Sequence, residues 1–171
     1  MFLVNKNQGD RPKEGFYLMS KDSIVAQVDA LIASGGTVQS CLALIVGHFD
    51  AQTGTIHRLD DTDGRLKLIA HIGIPEVIMD KVTDIPVGKG IAGAAASERR
   101  PITICNIKTD TSGVVGAKAP LTGMEGAIAV PMIQEEHLHG TLGVGKRTEY
   151  TWSESETSQL EEVATLLCAR V

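Results

Sequence analysis

Apolar residues recur near the start of the chain at the spacing of one helix face, and this pattern stops at Gly35 and Gly36. The apolar positions that predict this first helix are Ile24, Val25, Val28, Leu31 and Ile32. Residues 1–19 have no sustained period and contain glycine, proline and charged residues. We therefore predict an N-terminal arm over 1–19 and a single folded domain over 20–171.

Three β-branched or alternating runs follow at 41–49, 55–59 and 65–72, separated by turns rich in Asp, Thr and Gly. They predict a meander of three strands. The segment IPVGKGIAGAAASERR, residues 85–100, predicts an extended pair, a glycine-rich bend and a second helix. The run PITICNI, residues 101–107, predicts a fourth strand.

The last third of the chain predicts a hairpin and a final helix. Two strands are predicted at 126–133 and 138–146, on either side of a polar turn. Ser153 and Glu156 have the spacing of a capping box. The helix that follows has an apolar stripe of Leu160, Val163, Ala164, Leu167 and Val171. The order α-βββ-α-β-loop-ββ-α predicts an α+β fold.

Five segments of the chain resemble the GAF family and occur in the family's order. They are DGRLKLIAHIG, IPVGKGIAGAAASERRPITICNI, GAIAVPMI, HGTLGVGKR and TWSESETSQLEEVATLL. The resemblance covers about residues 20–170. It implies a GAF/PAS-like central antiparallel sheet, with the terminal helices on one face and a ligand cavity on the other.

Side chains alternate across a sheet, so the predicted hairpin has one face of large residues and one of small residues. The small face contains Ala127, Ala129, Thr141 and Gly143. Small residues leave a hollow, and we expect these four to line the ligand cavity. The alternative is a cavity closed by three side chains of the preceding loop, namely Val114, Val115 and Leu121.

That loop, residues 108–125, is long for a compact domain, and such loops are often functional. It contains Asp110, Ser112 and Lys118, and Asn106 precedes it. These side chains suit a polar or anionic metabolite, so we expect them to bind the ligand. A solvated loop with turn-forming side chains explains the same residues equally well.

The formal net charge of −5 and the absence of a basic block argue against a nucleic-acid partner. No apolar run approaches the roughly 20 residues that span a bilayer, so we expect a cytoplasmic protein without a membrane partner. Cys41, Cys105 and Cys168 are widely spaced, which predicts reduced thiols rather than disulfides or a zinc site.

Three sequence motifs resemble parts of cofactor or metal sites. Residues 88–93 match G-x-G-x-x-G, but the charged, proline-containing stretch before them does not predict the buried strand that a dinucleotide site needs. Residues 140–146 resemble the front of a P-loop, but Arg147 replaces its Ser or Thr. His137 and His139 lack further metal ligands nearby. We expect no cofactor and no metal.

One GAF subfamily, the free methionine-R-sulfoxide reductases, is enzymatic and uses cysteine chemistry. The resemblance places its redox cysteines in the helix after the glycine-rich bend and in the long loop, where this chain has none. Cys105 is expected to be a buried residue of the fourth strand. We therefore predict no catalytic residues and a protein that is not an enzyme.

The leading hypothesis is a sensor whose ligand changes the order of the loop, and whose terminal helices pass that change to a downstream signalling partner. Leu166 and Cys168 widen the apolar surface of the last helix, which predicts a homodimer through the terminal helices. A thiol redox enzyme and a purely structural dimerisation domain are the alternatives.

Overall fold

The computed structural model describes residues 23–115 and 122–171. In these residues six strands form one antiparallel sheet with the spatial order β3-β2-β1-β6-β5-β4. The strands are β1 (Thr53–Asp60), β2 (Arg65–Ile72), β3 (Asp84–Pro86), β4 (Ile102–Ile104), β5 (Gly126–Gln134) and β6 (His137–Lys146). The helices are α1 (Ile24–Ala33), α2 (Val38–His48), α3 (Met79–Val82), α4 (Gly90–Glu98) and α5 (Glu154–Leu167).

The apolar run at 41–49 is helical, so the predicted first strand of the meander is wrong. Thr37 caps this helix, α2, by accepting a hydrogen bond from the N–H of Ser40 at 3.1 Å. Periodicity does not distinguish a short apolar strand from a buried helix. Packing favours the helix, because α2 lies so close to β1 that a Cβ built at Gly54 would be 2.5 Å from Cγ2 of Val46. The helix therefore lies against a strand residue that has no side chain.

Helices α1, α2 and α5 cover one face of the sheet and enclose the main core. The large residues of the hairpin face this core, as predicted: Ile128, Val130, Met132, Leu142 and Val144. Cys168 was expected on the outer surface of the last helix, but it is 3% exposed and belongs to the core. Leu166 is half-buried against the same core. The placement of the terminal helices on one face is confirmed.

Local sequence features explain how several elements begin and end. Ser153 caps α5, and Glu156 completes the predicted capping box. The hairpin turns at Glu135 and Glu136, whose φ values of 49° and 64° are the left-handed backbone of a tight two-residue turn. The predicted arm, residues 1–19, lies outside the described residues, and the position at which the domain begins stays a prediction.

The other face of the sheet is covered by α3, α4 and the segments around them. The glycine-rich bend leads from β3 into α4, as the sequence predicts. Gly93 of α4 lies so close to β3 that a Cβ there would be 2.6 Å from the carbonyl oxygen of Pro86. This close approach holds the start of α4 beside the sheet and leaves space between them.

Candidate functional site

A cavity of about 460 Å³ lies on the sheet face opposite α1, α2 and α5. Strands β1, β5 and β6 form its floor, while α3, the bend before α4 and the first turn of α4 form its roof. Most of the lining is apolar. The large apolar side chains are Ile74, Ile78, Val82, Ile85, Ile91, Ile107, Val115 and Met124.

Small residues make the floor of the cavity. Ala127 and Ala129 of β5 and Gly143 and Gly145 of β6 all line it. Larger side chains at these positions would project into the space, because alternate residues of a strand point to the same face. Three of the predicted site residues, Ala127, Ala129 and Gly143, therefore come together at the cavity.

Thr141, the fourth residue predicted from the small face of the hairpin, is not among the described residues that line the cavity. It is completely buried, and its hydroxyl has no hydrogen-bond partner among the described residues. It lies directly opposite His57 in the antiparallel pairing of β1 with β6. Sequence reasoning missed His57, although the alternation of Thr53, Thr55 and His57 along β1 places all three on the cavity face.

His57 is 1% exposed, and its Nε2 lies 2.7 Å from the carbonyl oxygen of Val82 in α3. Burial lowers the pKa of His57, and the hydrogen bond with Val82 opposes part of that effect. The imidazole is therefore neutral near pH 7. Since a carbonyl oxygen only accepts, Nε2 carries the proton and Nδ1 has a free lone pair.

The positively charged residues that line the cavity lie in its roof. Lys81 of α3 and Lys89 line it, and both are exposed to solvent as well. Lys81 also pairs with the neighbouring Asp80 at 2.9 Å. Among the described residues that line the cavity, none is Asp or Glu. The formal charges that the described residues bring to the lining are thus positive.

Three of the residues predicted to bind the ligand, Asn106, Asp110 and Ser112, are not among the described residues that line the cavity. Asn106 donates from Nδ2 to Glu149 at 3.1 Å, and its Oδ1 accepts from the N–H of Lys108 at 3.0 Å. Asp110 accepts hydrogen bonds from the N–H and the hydroxyl of Ser112. The bonds to Oδ1 of Asn106 and to Asp110 are local turn contacts of the kind that Asx residues make, whereas the bond to Glu149 joins the start of the loop to the segment after β6. Their role as ligand contacts stays a prediction.

The fourth loop residue, Lys118, lies outside the described residues. The described ends of the loop contribute apolar side chains instead. Val115 and Met124 line the cavity, and Val114 packs beside Ala129 and α4. Part of the lid considered in the sequence analysis is therefore present, whereas Leu121 lies outside the described residues.

Cys105 is exposed, one residue beyond the end of β4. This corrects the expectation that it is a buried residue of the strand. The alternation places Ile102 and Ile104 in the interior, and the intervening positions face outward. Cys41 and Cys168 are buried, and burial raises the pKa of both thiols.

A family comparison decides the identity of the domain. Residues 35–168 match the family model described as the GAF domain. The chain belongs to the GAF domain family. A comparison of this GAF domain with curated proteins gave no match.

Several solved structures share the fold of this GAF domain. It is similar to the GAF domain of a phosphoenolpyruvate-protein phosphotransferase from Coxiella burnetii, with 19% identity, a TM-score of 0.73, and 86% of this chain and 89% of that chain covered. It is also similar to the free methionine-R-sulfoxide reductase of Neisseria meningitidis in complex with its substrate. That match has 18% identity, a TM-score of 0.71, and covers 86% of this chain and 85% of that chain.

The prediction that the protein is not an enzyme is wrong, because the fold does not exclude an enzyme. Free methionine-R-sulfoxide reductases are among the structures with the same fold, so a GAF fold of this kind includes enzymes. The two segments expected to hold the reductase cysteines contain no cysteine, but that absence does not exclude another catalytic chemistry. At identities of 15% to 20% these similarities establish the fold alone.

No helix in residues 23–115 and 122–171 is long and apolar enough to cross a bilayer. Within the same residues, no group of three or more His, Cys, Asp or Glu side chains gathers as a metal site.

Proposed function

We propose that this GAF domain senses a small, largely apolar organic anion that binds in the cavity between the sheet and α4. The observation that carries the proposal is the distribution of charge on the lining. Apolar side chains surround most of the space, and the two charged residues that line it, Lys81 and Lys89, are both positive. A carboxylate with a hydrocarbon or aromatic body matches both features.

The start of α4 supports an anionic group at the roof. Gly90, Ile91 and Ala92 line the cavity, and Lys89 at the N-cap position makes no side-chain capping bond. Among the described residues, no acceptor contacts the N–H groups of Ile91 and Ala92. Free N–H groups at a helix start attract anions, and the helix dipole adds to the attraction.

The apolar lining supplies the larger part of the binding free energy. Each buried methylene contributes about 0.8 kcal/mol on transfer from water. Ile78, Ile91 and Met124 surround the space from three different segments of the chain, so an apolar body contacts side chains on several sides. Such a ligand orders the loop end and the start of α4 when it binds.

The output of the sensor is proposed to pass through the sheet to the terminal helices. Ile56 of β1 belongs to the core under α2, while its neighbours Thr55 and His57 line the cavity. A shift of β1 on ligand binding therefore changes the contacts of α2 as well. A homodimer or a downstream protein that contacts the terminal helices receives this change.

The test is a binding series with paired probes. The pairs are 3-phenylpropionate with its neutral amide and octanoate with its neutral amide, measured by calorimetry and by thermal shift. The carboxylates are expected to bind more tightly than the amides. Lys89→Met is expected to weaken carboxylate binding by about 1 kcal/mol, because the contact is partly exposed to solvent.

Lys108→Met is the matched control, because this lysine is exposed and pairs with Glu125 outside the cavity. It is expected to leave carboxylate affinity unchanged. Equal binding of carboxylates and amides would contradict the anionic part of the proposal. Binding of none of the four probes at millimolar concentration would contradict the proposal as a whole.

A further inference from the structure

Two buried polar atoms on the sheet face that holds the cavity have no hydrogen-bond partner among the described residues. They are Nδ1 of His57 and Oγ1 of Thr141. Their residues are direct cross-strand neighbours on the cavity face of β1 and β6. Such neighbours have Cβ atoms about 5 Å apart. Both atoms are shielded from bulk water, so solvent does not satisfy them.

The chemistry of the two atoms is defined by their surroundings. The proton of His57 lies on Nε2, which donates to Val82, so Nδ1 is an acceptor. The hydroxyl of Thr141 donates or accepts as its rotation allows. A buried polar atom without a partner costs free energy, and native proteins leave few of them. The unpartnered Nδ1 of His57 and Oγ1 of Thr141, on the face that holds the cavity, therefore point to a ligand group as their partner.

We propose that His57, which lines the cavity, and its cross-strand neighbour Thr141 form a polar subsite beside the floor of the cavity, which receives one neutral N–H or O–H group of the ligand. The inference rests on the proposed function, because it adds a second chemical feature to the same ligand. The class that fits is an apolar organic acid bearing a hydroxyl, an amide or a ring N–H.

A neutral donor fits better than an ammonium group. An ammonium buried here would need a negative partner, and no Asp or Glu lines the cavity among the described residues. A neutral hydroxyl or N–H satisfies Nδ1 by donating one hydrogen bond and brings no unpaired charge into the floor. A hydroxyl also accepts from Thr141, so it satisfies both atoms at once.

Two matched probe pairs test the inference. They are 3-(4-hydroxyphenyl)propionate with 3-phenylpropionate, and indole-3-propionate with 1-methylindole-3-propionate. At least one donor-bearing probe is expected to bind the wild-type protein about tenfold more tightly than its partner, as one added hydrogen bond provides. Long-range ¹H–¹⁵N spectra are expected to show Nδ1 of His57 unprotonated, and its resonance is expected to move only when the donor-bearing probe binds.

Thr141→Val removes the hydroxyl while keeping the shape of the side chain. Because this hydroxyl has no partner among the described residues, the variant is expected to fold. The affinity ratio between the donor-bearing probe and its partner is expected to fall at least about threefold. Thr103→Val, the same substitution at an exposed position of β4 that does not line the cavity, is the matched control and is expected to leave the affinity ratio within each probe pair unchanged.

The outcomes separate this inference from the proposed function. Equal affinities within both pairs, with no movement of the Nδ1 resonance, would overturn the subsite and leave the apolar anion site standing. A spectrum with the proton of His57 on Nδ1 would overturn the subsite before any probe is added. If none of the four carboxylates binds, the proposed function fails and the subsite fails with it.

Discussion

Replacing Glu156 tests how α5 is attached to the sheet. One carboxylate oxygen of Glu156 accepts from the N–H of Ser153 at 2.9 Å, and the other accepts from the hydroxyl of Tyr150 at 2.6 Å. Tyr150 in turn lies under the ammonium of Lys146, 4.2 Å from the ring centre. The side chain therefore joins the start of α5 to the end of β6.

We expect Glu156→Ala to lower the free energy of unfolding by about 2 kcal/mol. The bonds from Tyr150 and from the N–H of Ser153 contribute about 1 kcal/mol each at a partly exposed site, and the exposed bond from the Ser153 hydroxyl, which water can replace, adds little. The lost charge at the helix start adds about 0.5 kcal/mol, and the better helix propensity of alanine offsets a similar amount. For a domain of this size the midpoint of thermal unfolding should fall by about 4–8 °C.

The same network makes stability depend on pH. Partial burial by itself raises the pKa of Glu156, but the hydrogen bonds from Tyr150 and Ser153 and the charge of Lys146 outweigh it, so the pKa lies below its usual value. A depressed pKa stabilises the fold above the unfolded value of about 4.3. That contribution disappears as the pH falls through the lower folded value. Glu156→Gln should therefore lose stability at pH 7 and lose less when acidified.

Urea unfolding followed by tryptophan fluorescence at pH 7 and near pH 3.5 measures both effects. Glu161→Ala is the control, because Glu161 is exposed on the same helix. It should stay within about 0.5 kcal/mol of wild type. The reasoning is refuted if Glu156→Ala and Glu161→Ala unfold alike, or if Glu156→Gln retains the acid sensitivity of the wild-type protein.

Two further predictions concern packing and assembly. Gly93→Ala should destabilise the protein, because its Cβ would lie 2.6 Å from the carbonyl oxygen of Pro86. Gly47→Ala in α2 should stabilise it by about 0.5–1 kcal/mol, because no atom of the described residues lies within 4 Å of the new Cβ. Chemical denaturation of the pair decides this, and a stable Gly93→Ala would show that α4 shifts freely. The homodimer through the terminal helices should give a mass near twice 18.2 kDa by light scattering, and the mass of one chain at high micromolar concentration would contradict it.

Local sequence patterns were sufficient to predict those elements that are specified by interactions between residues close together in the sequence. The capping box of Ser153 and Glu156 specifies the start of α5 because its hydrogen bonds are made inside one turn. Strand alternation likewise separates the small and large faces of the hairpin, so Ala127 and Gly143 could be assigned to the cavity side. The periodicity of the run at 41–49 does not distinguish a strand from a helix, and the helix is specified by the Thr37 cap together with packing against Gly54.

The tertiary structure alone decided which chemistry meets at the site. His57 and Thr141 are 84 positions apart in sequence, and only the pairing of β1 with β6 places them together. Lys89 reaches the cavity because Gly93 packs against β3, a contact that no spacing in the sequence reveals. Asp110 and Ser112 were expected to bind the ligand, but their side chains bond to each other, and Asn106 bonds to Lys108 and Glu149. Residue types determine what a site can bind, whereas long-range strand pairing and helix packing determine which residues form it.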